Sequence, residues 1–502
     1  MLFQSAVNYM AEKKTLPKND GAAPENTTPH AQKNKKGKKA LIVALIVLAS
    51  LILLLAIVGV SGYYVLKNIY NQAFYVPTVD IVDRETPYVQ SELKTEDLVY
   101  MPNEMTVETA NTVFYQGDNI SKDGIKVVLK YFDGKEYFEK ECTEWWISEK
   151  ATDVTSEIGD SVYTVTGRVM IGGIHVYAKA QVPVKIIARP DGVDTPAEGG
   201  ELYKVSASFN DFGYSPIDPL SIYSEEILES IKDGHISTPI YKKEQIDKDV
   251  FNVLFIGQGD TTNGEHIDLC ETIMVVSYNK KTNKVTATSL LRDTLVDIDG
   301  YGWNKLRVAY RIGGAGLLIN TVNETYGLDI QYFVEADIAR MVAFVDRIGG
   351  VTVDVTEEQI KSLALTDIEA GKALLKGDNL HNWLVYGGTG ADDLSRTSRQ
   401  GAVIRSIIST YLTGEKKIKE LIDICLDDKY VITNLEYDDV LSIGLSVVKD
   451  VDGFVFSHVQ LPGAIGDKYT YVCYKEKVLG INVPVEVLRE MAKDTIYPAV
   501  KD

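Results

Sequence analysis

The sequence predicts a membrane-anchored chain whose mass is divided between an all-β sandwich and an α/β domain, and three observations predict it. One uncharged apolar stretch is long enough to cross a bilayer. The segment after it breaks into short β-branched and aromatic runs, and beyond a Pro/Gly-bearing linker strand-length apolar runs alternate with helical periods. With 502 residues and 45% hydrophobic composition the chain has material for two or three domains with proper cores.

From Ala40 to Val60 no residue is charged, and at about 1.5 Å rise per residue this stretch spans roughly 32 Å, close to the hydrocarbon thickness. We read residues 40–65 as a transmembrane helix. A cleavable signal peptide is the competing reading, but the run is longer than a signal core, starts some forty residues in and lacks a clear small-residue cleavage site. Lys33, Lys35, Lys36, Lys38 and Lys39 precede the span while only Lys67 follows closely. That bias puts the N-terminus in the cytoplasm and the C-terminal domains outside a bacterial plasma membrane, crossed once. The tail at 1–39 is expected to be disordered, its lysines drawn to anionic lipid.

The net charge is -19, yet the first 39 residues carry eight Lys against three acids, which leaves -24 for the remainder. A nucleic-acid partner needs a basic face that displaces counterions, and nothing beyond residue 40 offers one. The four cysteines, Cys142, Cys270, Cys425 and Cys473, lie far apart without a CxxC pair, and the six histidines form no HExxH. Zinc and redox chemistry are therefore not expected.

Residues 77–188 read as the sandwich, with runs such as IKVVLKYFDGKEYFEK and DSVYTVTGRVMI. Tyr115-Gln-Gly117-Asp118, followed by a strand and the Asp133-Gly134 turn, resembles bacterial immunoglobulin-like repeats, which serve as spacers or glycan contacts. Trp145 and Trp146 suggest a sugar-stacking platform, but neighbours on a strand point to opposite faces, so one of them belongs to the core. Residues 189–200 read as a linker and 201–495 as the α/β domain.

Within that domain VFNVLFIG (250–257) is a buried strand, and TIMVVSYN and VTATSLL form a hairpin across Lys280–Lys284. A helix from about Ala336 to Ile348 is expected to end at Gly349-Gly350, ahead of the strand VTVDV. Polar residues gather at the strand ends: Gly257-Gln-Gly259-Asp260, Glu271, and Leu291-Arg292-Asp293-Thr294. Downstream, Asp393 opens a helix in which Arg396, Arg399 and Gln400, at i, i+3 and i+4, share one face. Two arginines near a helix N-terminus oppose its dipole unless an anion is present, and forked guanidinium groups suit a phosphate. The competing reading pairs these arginines with local acids on a surface helix.

The ordered series FIGQGD, ETIMVVSYNKKTNKV, SLLRDTLVDI, KLRVAYRIGGAG, ARMVAFVDRIGGVTVDV and DLSRTSRQ resembles the LytR-CpsA-Psr family from about Phe251 to Tyr411. The resemblance implies a mixed sheet flanked by helices, and an enzyme that transfers a glycan phosphate from a polyprenyl-pyrophosphate carrier to a peptidoglycan hydroxyl. It implies Mg²⁺ (or Mn²⁺) held by Asp260 and Glu271, and Arg292, Arg396, Arg399 and Gln400 on the pyrophosphate. It gives Asp393 the role of orienting or deprotonating the acceptor, leaves Asp293 to orient Arg292, and implies an apolar groove lined in part by the helix at 336–348. The chain departs from the family pattern in four places. Glu271 stands where Asp is usual, Cys270 before it stands where a small polar residue is favoured, Leu291 replaces a proline, and Gly388 and Gly390 stand where two pyrophosphate-binding arginines are expected. At roughly 1.5–3 kcal/mol per charged partner, losing both weakens binding by about 10² to 10⁴-fold. A non-catalytic, membrane-tethered binder of lipid-linked glycan or peptidoglycan therefore stands as the alternative to a transferase.

Overall fold

The structure, a computed structural model, describes residues 62–68, 70–72, 79–133, 135–197, 199–209, 218–232, 236–259, 270–385, 393–411, 431–439, 442, 455–463 and 470–498. Residues 1–65 and 66–502 are separate units. Of the first, residues 62–65 are described and are helical; the rest of the expected span and the basic tail lie outside the described residues. Among the described residues no helix is long and apolar enough to cross a membrane.

In the second unit the β-rich region forms two four-stranded sheets. One runs Tyr203–Ser208, Pro102–Thr109, Ile125–Phe132, Tyr137–Glu141 in spatial order. The other runs Val113–Tyr115, Ile174–Ile187, Gly159–Ile171, Trp145–Ile147. Alternating side chains, Met105, Val107, Val127 and Leu129 from the first and Tyr163, Val165, Val176 and Val182 from the second, fill one shared core. Gly117 takes φ +84°, and the buried Asp118 carboxylate accepts the Tyr115 N–H at 3.0 Å and pairs with Arg189. Trp145 packs against the core and Trp146 is exposed.

The strand pairing departs from the expected boundaries. Tyr203–Ser208, expected to lie in the α/β domain, completes the first sandwich sheet along Pro102–Thr109. Conversely, Ile81–Val82 pairs with Ile240–Tyr241 and Leu98–Tyr100 with Thr470–Tyr474, so the lead-in at 79–100 lies along the α/β domain. These partners lie far apart in sequence. An open strand edge selects them, and composition does not show which edges are open.

The α/β domain is built on six strands: β1 (Val250–Gln258), β2 (Cys270–Asn279), β3 (Lys284–Leu290), β4 (Tyr332–Asp337), β5 (Ile432–Thr433) and β6 (Val455–Leu461), in the order β5-β4-β1-β2-β3-β6. The expected β2–β3 hairpin is antiparallel, while β1–β4 and β3–β6 run parallel, which makes the sheet mixed. Five helices are used below: α1 (Leu306–Tyr326), α2 (Ile338–Arg347), α3 (Gly377–Val385), α4 (Asp393–Tyr411) and α5 (Val485–Ile496). Leu254 and Ile256 of β1 and Ile273 and Val275 of β2 pack with α1, whose Leu306, Val308, Ile312, Leu318, Ile319 and Val322 are buried. The backbone of α1 breaks at Gly313 and Gly314, where Gly314 has φ +62° and ψ -158°. A Cβ at Gly316 would lie 1.8 Å from the Thr238 carbonyl oxygen, so only glycine lets this segment pass. Helix α2 ends as expected, with Gly349 and Gly350 both at positive φ and the Gly350 N–H bonded to the Val345 carbonyl at 2.8 Å.

A candidate anion site beside an apolar groove

The chain turns sharply between β3 and α1, and that turn brings the charged residues together. The Leu306 N–H bonds to the Thr294 carbonyl at 2.8 Å and the Arg307 N–H to the Arg292 carbonyl at 3.0 Å. The first amides of α1 are thus spent on the backbone, so recognition of an anion here falls to side chains. Glu271, at the start of β2, receives three guanidinium groups. Arg292 pairs with its Oε2, Arg396 reaches the same oxygen at 3.2 Å, and Arg307 stands 3.7 Å from Oε1. Asp293 lies beside them, 3.1 Å from Arg307 Nε and 3.4 Å from Lys305 Nζ. Among the described residues, four cations thus meet two carboxylates here.

Burial alone would raise the Asp293 carboxyl pKa, but Arg307, Lys305 and Arg292 outweigh it and hold the group well below the ordinary carboxylate range. Lys305 is pushed down by burial, which its contact with Asp293 only partly offsets. The Cys270 thiol is pushed up by burial, chiefly, and by Glu335, so it stays protonated and inert.

The site residues expected from the sequence divide. Glu271, Arg292, Asp293 and Arg396 meet. Arg399 and Gln400 are buried but are turned toward α3: Arg399 Nε donates to the Trp383 carbonyl at 2.8 Å and its Nη1 to Ser395 Oγ at 2.7 Å, while Gln400 Nε2 donates to the Leu384 carbonyl at 3.2 Å. Asp393 begins α4, but its side chain lies outside the described residues, as do Asp260, Gly388 and Gly390. Lys305 and Arg307 were not anticipated. Their signal is a pair of cations two apart at the head of the apolar run KLRVAYRIGGAG, beside a turn whose geometry the sequence does not reveal.

In this arrangement Glu271 does not fit a divalent cation. Both of its oxygens face guanidinium groups, and a doubly charged ion beside three of them would be repelled. Among the described residues no group of three or more His, Cys, Asp or Glu is placed to hold a metal.

A mostly apolar groove lies near the cluster. Phe255 and Gly257 of β1, Thr272 and Met274 of β2, and Ala336 of β4 form its floor. Ile338 and Met341 of α2 and Gln400, Val403 and Ile404 of α4 form its walls. A Cβ at Gly257 would stand 2.7 Å from the Thr272 Cβ, which explains the glycine. Thr272 follows Glu271 in the chain, and Gln400 lies one helical turn after Arg396. The groove and the cation cluster therefore draw on neighbouring residues of β2 and α4, with Glu271 and Thr272 pointing to opposite faces of the strand.

The described part of the α/β domain thus holds an arginine cluster and an apolar groove. Residues 221–481 match the model of the LytR_cpsA_psr family, and the chain belongs to that family. It is 33% identical over 140 residues to the Corynebacterium glutamicum protein named probable cell wall biosynthesis protein LcpB, covering 28% of this chain and 34% of that one. It is 30% identical over 193 residues to the Bacillus subtilis (strain 168) polyisoprenyl-teichoic acid–peptidoglycan teichoic acid transferase TagT, covering 37% of this chain and 60% of that one. The chain thus spans about a third and three-fifths of the lengths of these relatives. Among solved structures it is similar to that of B. subtilis TagT, at 21% identity over 52% of this chain and 99% of that one, with a TM-score of 0.40.

Proposed function

We infer that this chain is a membrane-tethered, extracytoplasmic transferase that takes a polyprenyl-pyrophosphate-linked glycan and attaches it through phosphate to peptidoglycan. The observation that carries the reading is the convergence of Arg292, Arg307 and Arg396 on one carboxylate beside the groove. Guanidinium forks match phosphate oxygens, and an apolar channel next to them accepts the carrier lipid. Charge developing on the leaving polyprenyl phosphate falls to the same cations, which are already oriented and cost little reorganisation. Asp393 is assigned the incoming hydroxyl from its place at the head of α4. The immunoglobulin-like sandwich is assigned to spacing or to contact with the wall. The name of the TagT relative supports the reaction class.

A second reading, a binder without turnover, is favoured by Gly388 and Gly390, which leave the site short of two expected guanidinium groups. One experiment separates the two. Native mass spectrometry of the full chain in detergent is expected to detect retained polyprenyl phosphate, and a transfer assay with lipid-linked glycan and peptidoglycan fragments is expected to show product. Retained lipid without product selects the binder, and no bound lipid at any practical concentration rejects both.

A further inference from the structure

We propose that Gly480 is a positioning residue for the Arg292-Asp293 turn, and that the β-sandwich, through the strand paired with Gly480, sets how that turn is held. The inference rests on the pyrophosphate reading above and deepens it, since it makes the sandwich a determinant of the anion site in place of a spacer. A three-stranded antiparallel sheet, Leu98–Tyr100, Thr470–Tyr474 and Val478–Asn482, touches both regions. Its middle strand serves two cores, because successive side chains leave a strand on opposite faces. Cys473 is buried in the sandwich core, with Tyr471 and Leu479 packed against the same cluster. Val472 and Tyr474 point the other way and pack, with Val478, against Leu295 and Trp303. Leu295 follows Asp293 by two residues, so this second core adjoins the turn. At interior packing density a strand shared in this way cannot move in one core without moving in the other.

The strand Val478–Asn482 carries the contact to the site. The Ile481 N–H donates to the Asp293 carbonyl at 2.9 Å, and Thr294 bridges to Ile481 in parallel. A Cβ at Gly480 would stand 3.0 Å from that same carbonyl oxygen and 3.6 Å from the Leu295 Cβ. Gly480 lies within a regular strand and is not at positive φ, so its conformation does not call for glycine. The close approach of the turn does. A methyl group there pushes on the backbone that aims Arg292 and Asp293. At the sandwich end, the hairpin joining Gly159–Ile171 to Ile174–Ile187 turns at Gly172 and Gly173, both at positive φ. A Cβ at Gly172 would lie 2.7 Å from Cys473 Sγ, so the tip of this hairpin rests on the shared strand. Burial, chiefly, and Glu476 push the Cys473 thiol up to about 11, while Lys305 pulls the other way, so the charge that pairs with Asp293 is felt at the same strand.

The test uses the full chain in detergent, with calorimetry against inorganic pyrophosphate and farnesyl pyrophosphate, and amide hydrogen exchange over residues 291–296 and 478–482. Gly480→Ala is expected to weaken both probes about threefold or more and to speed exchange in both segments. Gly172→Ala places its methyl group in the sandwich, against Cys473, and is expected to act in the same direction to a smaller degree. Adding Cys473→Ala to it removes the clash and should return affinity and exchange to those of the parent, while the left-handed strain at position 172 still lowers the melting temperature. Gly117→Ala, at φ +84° with open space around it, is the control: it should melt earlier and leave the site unchanged. Parent-like affinity and exchange in Gly480→Ala overturn its positioning role; if that variant does not fold, the Gly172→Ala pair decides. A Gly172→Ala variant that is parent-like at the site, that Cys473→Ala does not relieve, or that Gly117→Ala reproduces overturns the part given to the sandwich. If the parent binds both probes and no variant shifts affinity or exchange, only this inference falls. If the parent binds neither probe while exchange at 291–296 responds as expected, the coupling stands and the pyrophosphate reading falls.

Discussion

Asp329 and Glu271 are both carboxylates held within the α/β domain, and they are satisfied in opposite ways. Asp329 is buried and takes only neutral donors: the Ile246 N–H at 2.7 Å, Asn252 Nδ2 at 2.7 Å and the Tyr497 hydroxyl at 2.6 Å. It ties a loop, β1 and the end of α5 into one piece. Glu271 takes three guanidinium groups, with the Asp293 cluster adjoining. Neutral donors of fixed geometry make a joint that no ligand can improve, whereas guanidinium groups converging on one carboxylate make a cluster that a second anion can enter. The difference marks where function lies more sharply than burial does.

The largest effect expected from breaking this comparison is on the joint. Asp329→Ala leaves three donors without their acceptor and is expected to cost about 3–5 kcal/mol in denaturant unfolding. The pyrophosphate affinity of the protein that remains folded should be unchanged, and a parallel loss of affinity would mean that the two regions are not separable. Arg292→Ala is the reciprocal case. It should weaken pyrophosphate binding by about 1.5–3 kcal/mol while unfolding shifts by less than about 1 kcal/mol, since Glu271 keeps Arg307 and Arg396. A variant that loses stability but not affinity would return Arg292 to the role of structural partner.

Asp293 sharpens the comparison through pH. Its folded carboxyl lies below the ordinary range, so the stability it contributes is fully present above the unfolded pKa, near about 3.9, and is lost as pH falls toward the folded value. Asp293→Asn should therefore melt below the parent at pH 7, and the gap should narrow under acid. A gap that stays constant with pH would show that Asp293 acts through shape and not charge.

Much of this was legible in the sequence, for a physical reason. The β2–β3 hairpin, the end of α2 at Gly349-Gly350 and the start of α4 all depend on neighbours within a few residues, where periodicity and glycine speak directly. Arg292, Glu271 and Arg396 stood out because polar residues at strand and helix ends have little other use. Arg307 did not, since inside KLRVAYRIGGAG it resembles an exposed position on a buried helix. Only the turn that folds Arg292 back over the head of α1 makes the two neighbours. The same limit hid the Tyr203–Ser208 strand, whose partner lies about a hundred residues earlier in the chain. The i, i+3, i+4 rule placed Arg399 and Gln400 on the face of Arg396, yet α3 claims both. Periodicity gives a direction, and the neighbour in that direction comes from the tertiary fold.

Glu335 is the intermediate case and gives the smallest expected effect. It is buried on β4 and accepts the Tyr310 hydroxyl at 2.9 Å and Gln258 Nε2 at 2.5 Å, both on Oε1. Asp329 spreads three donors over two oxygens; Glu335 has two donors crowded on one. Burial pushes its pKa up, these hydrogen bonds and Arg340 pull the other way, and Asp337 adds to the rise, with the net shift upward. A carboxyl whose folded pKa is raised contributes stability that is fully present below the unfolded pKa, near about 4.3, and is lost as pH rises through the folded value. At neutral pH the parent therefore carries a cost that an uncharged amide does not. Glu335→Gln keeps an oxygen for Tyr310 and Gln258, so it should be more stable than the parent at pH 7 to 8 by about 1 kcal/mol, with the difference closing toward pH 4. Chemical denaturation across that range is the measurement. A variant less stable than the parent at every pH would mean that the ionised carboxylate is wanted where it lies, and Glu335 would then belong with Glu271 among groups kept for a ligand and not for the fold.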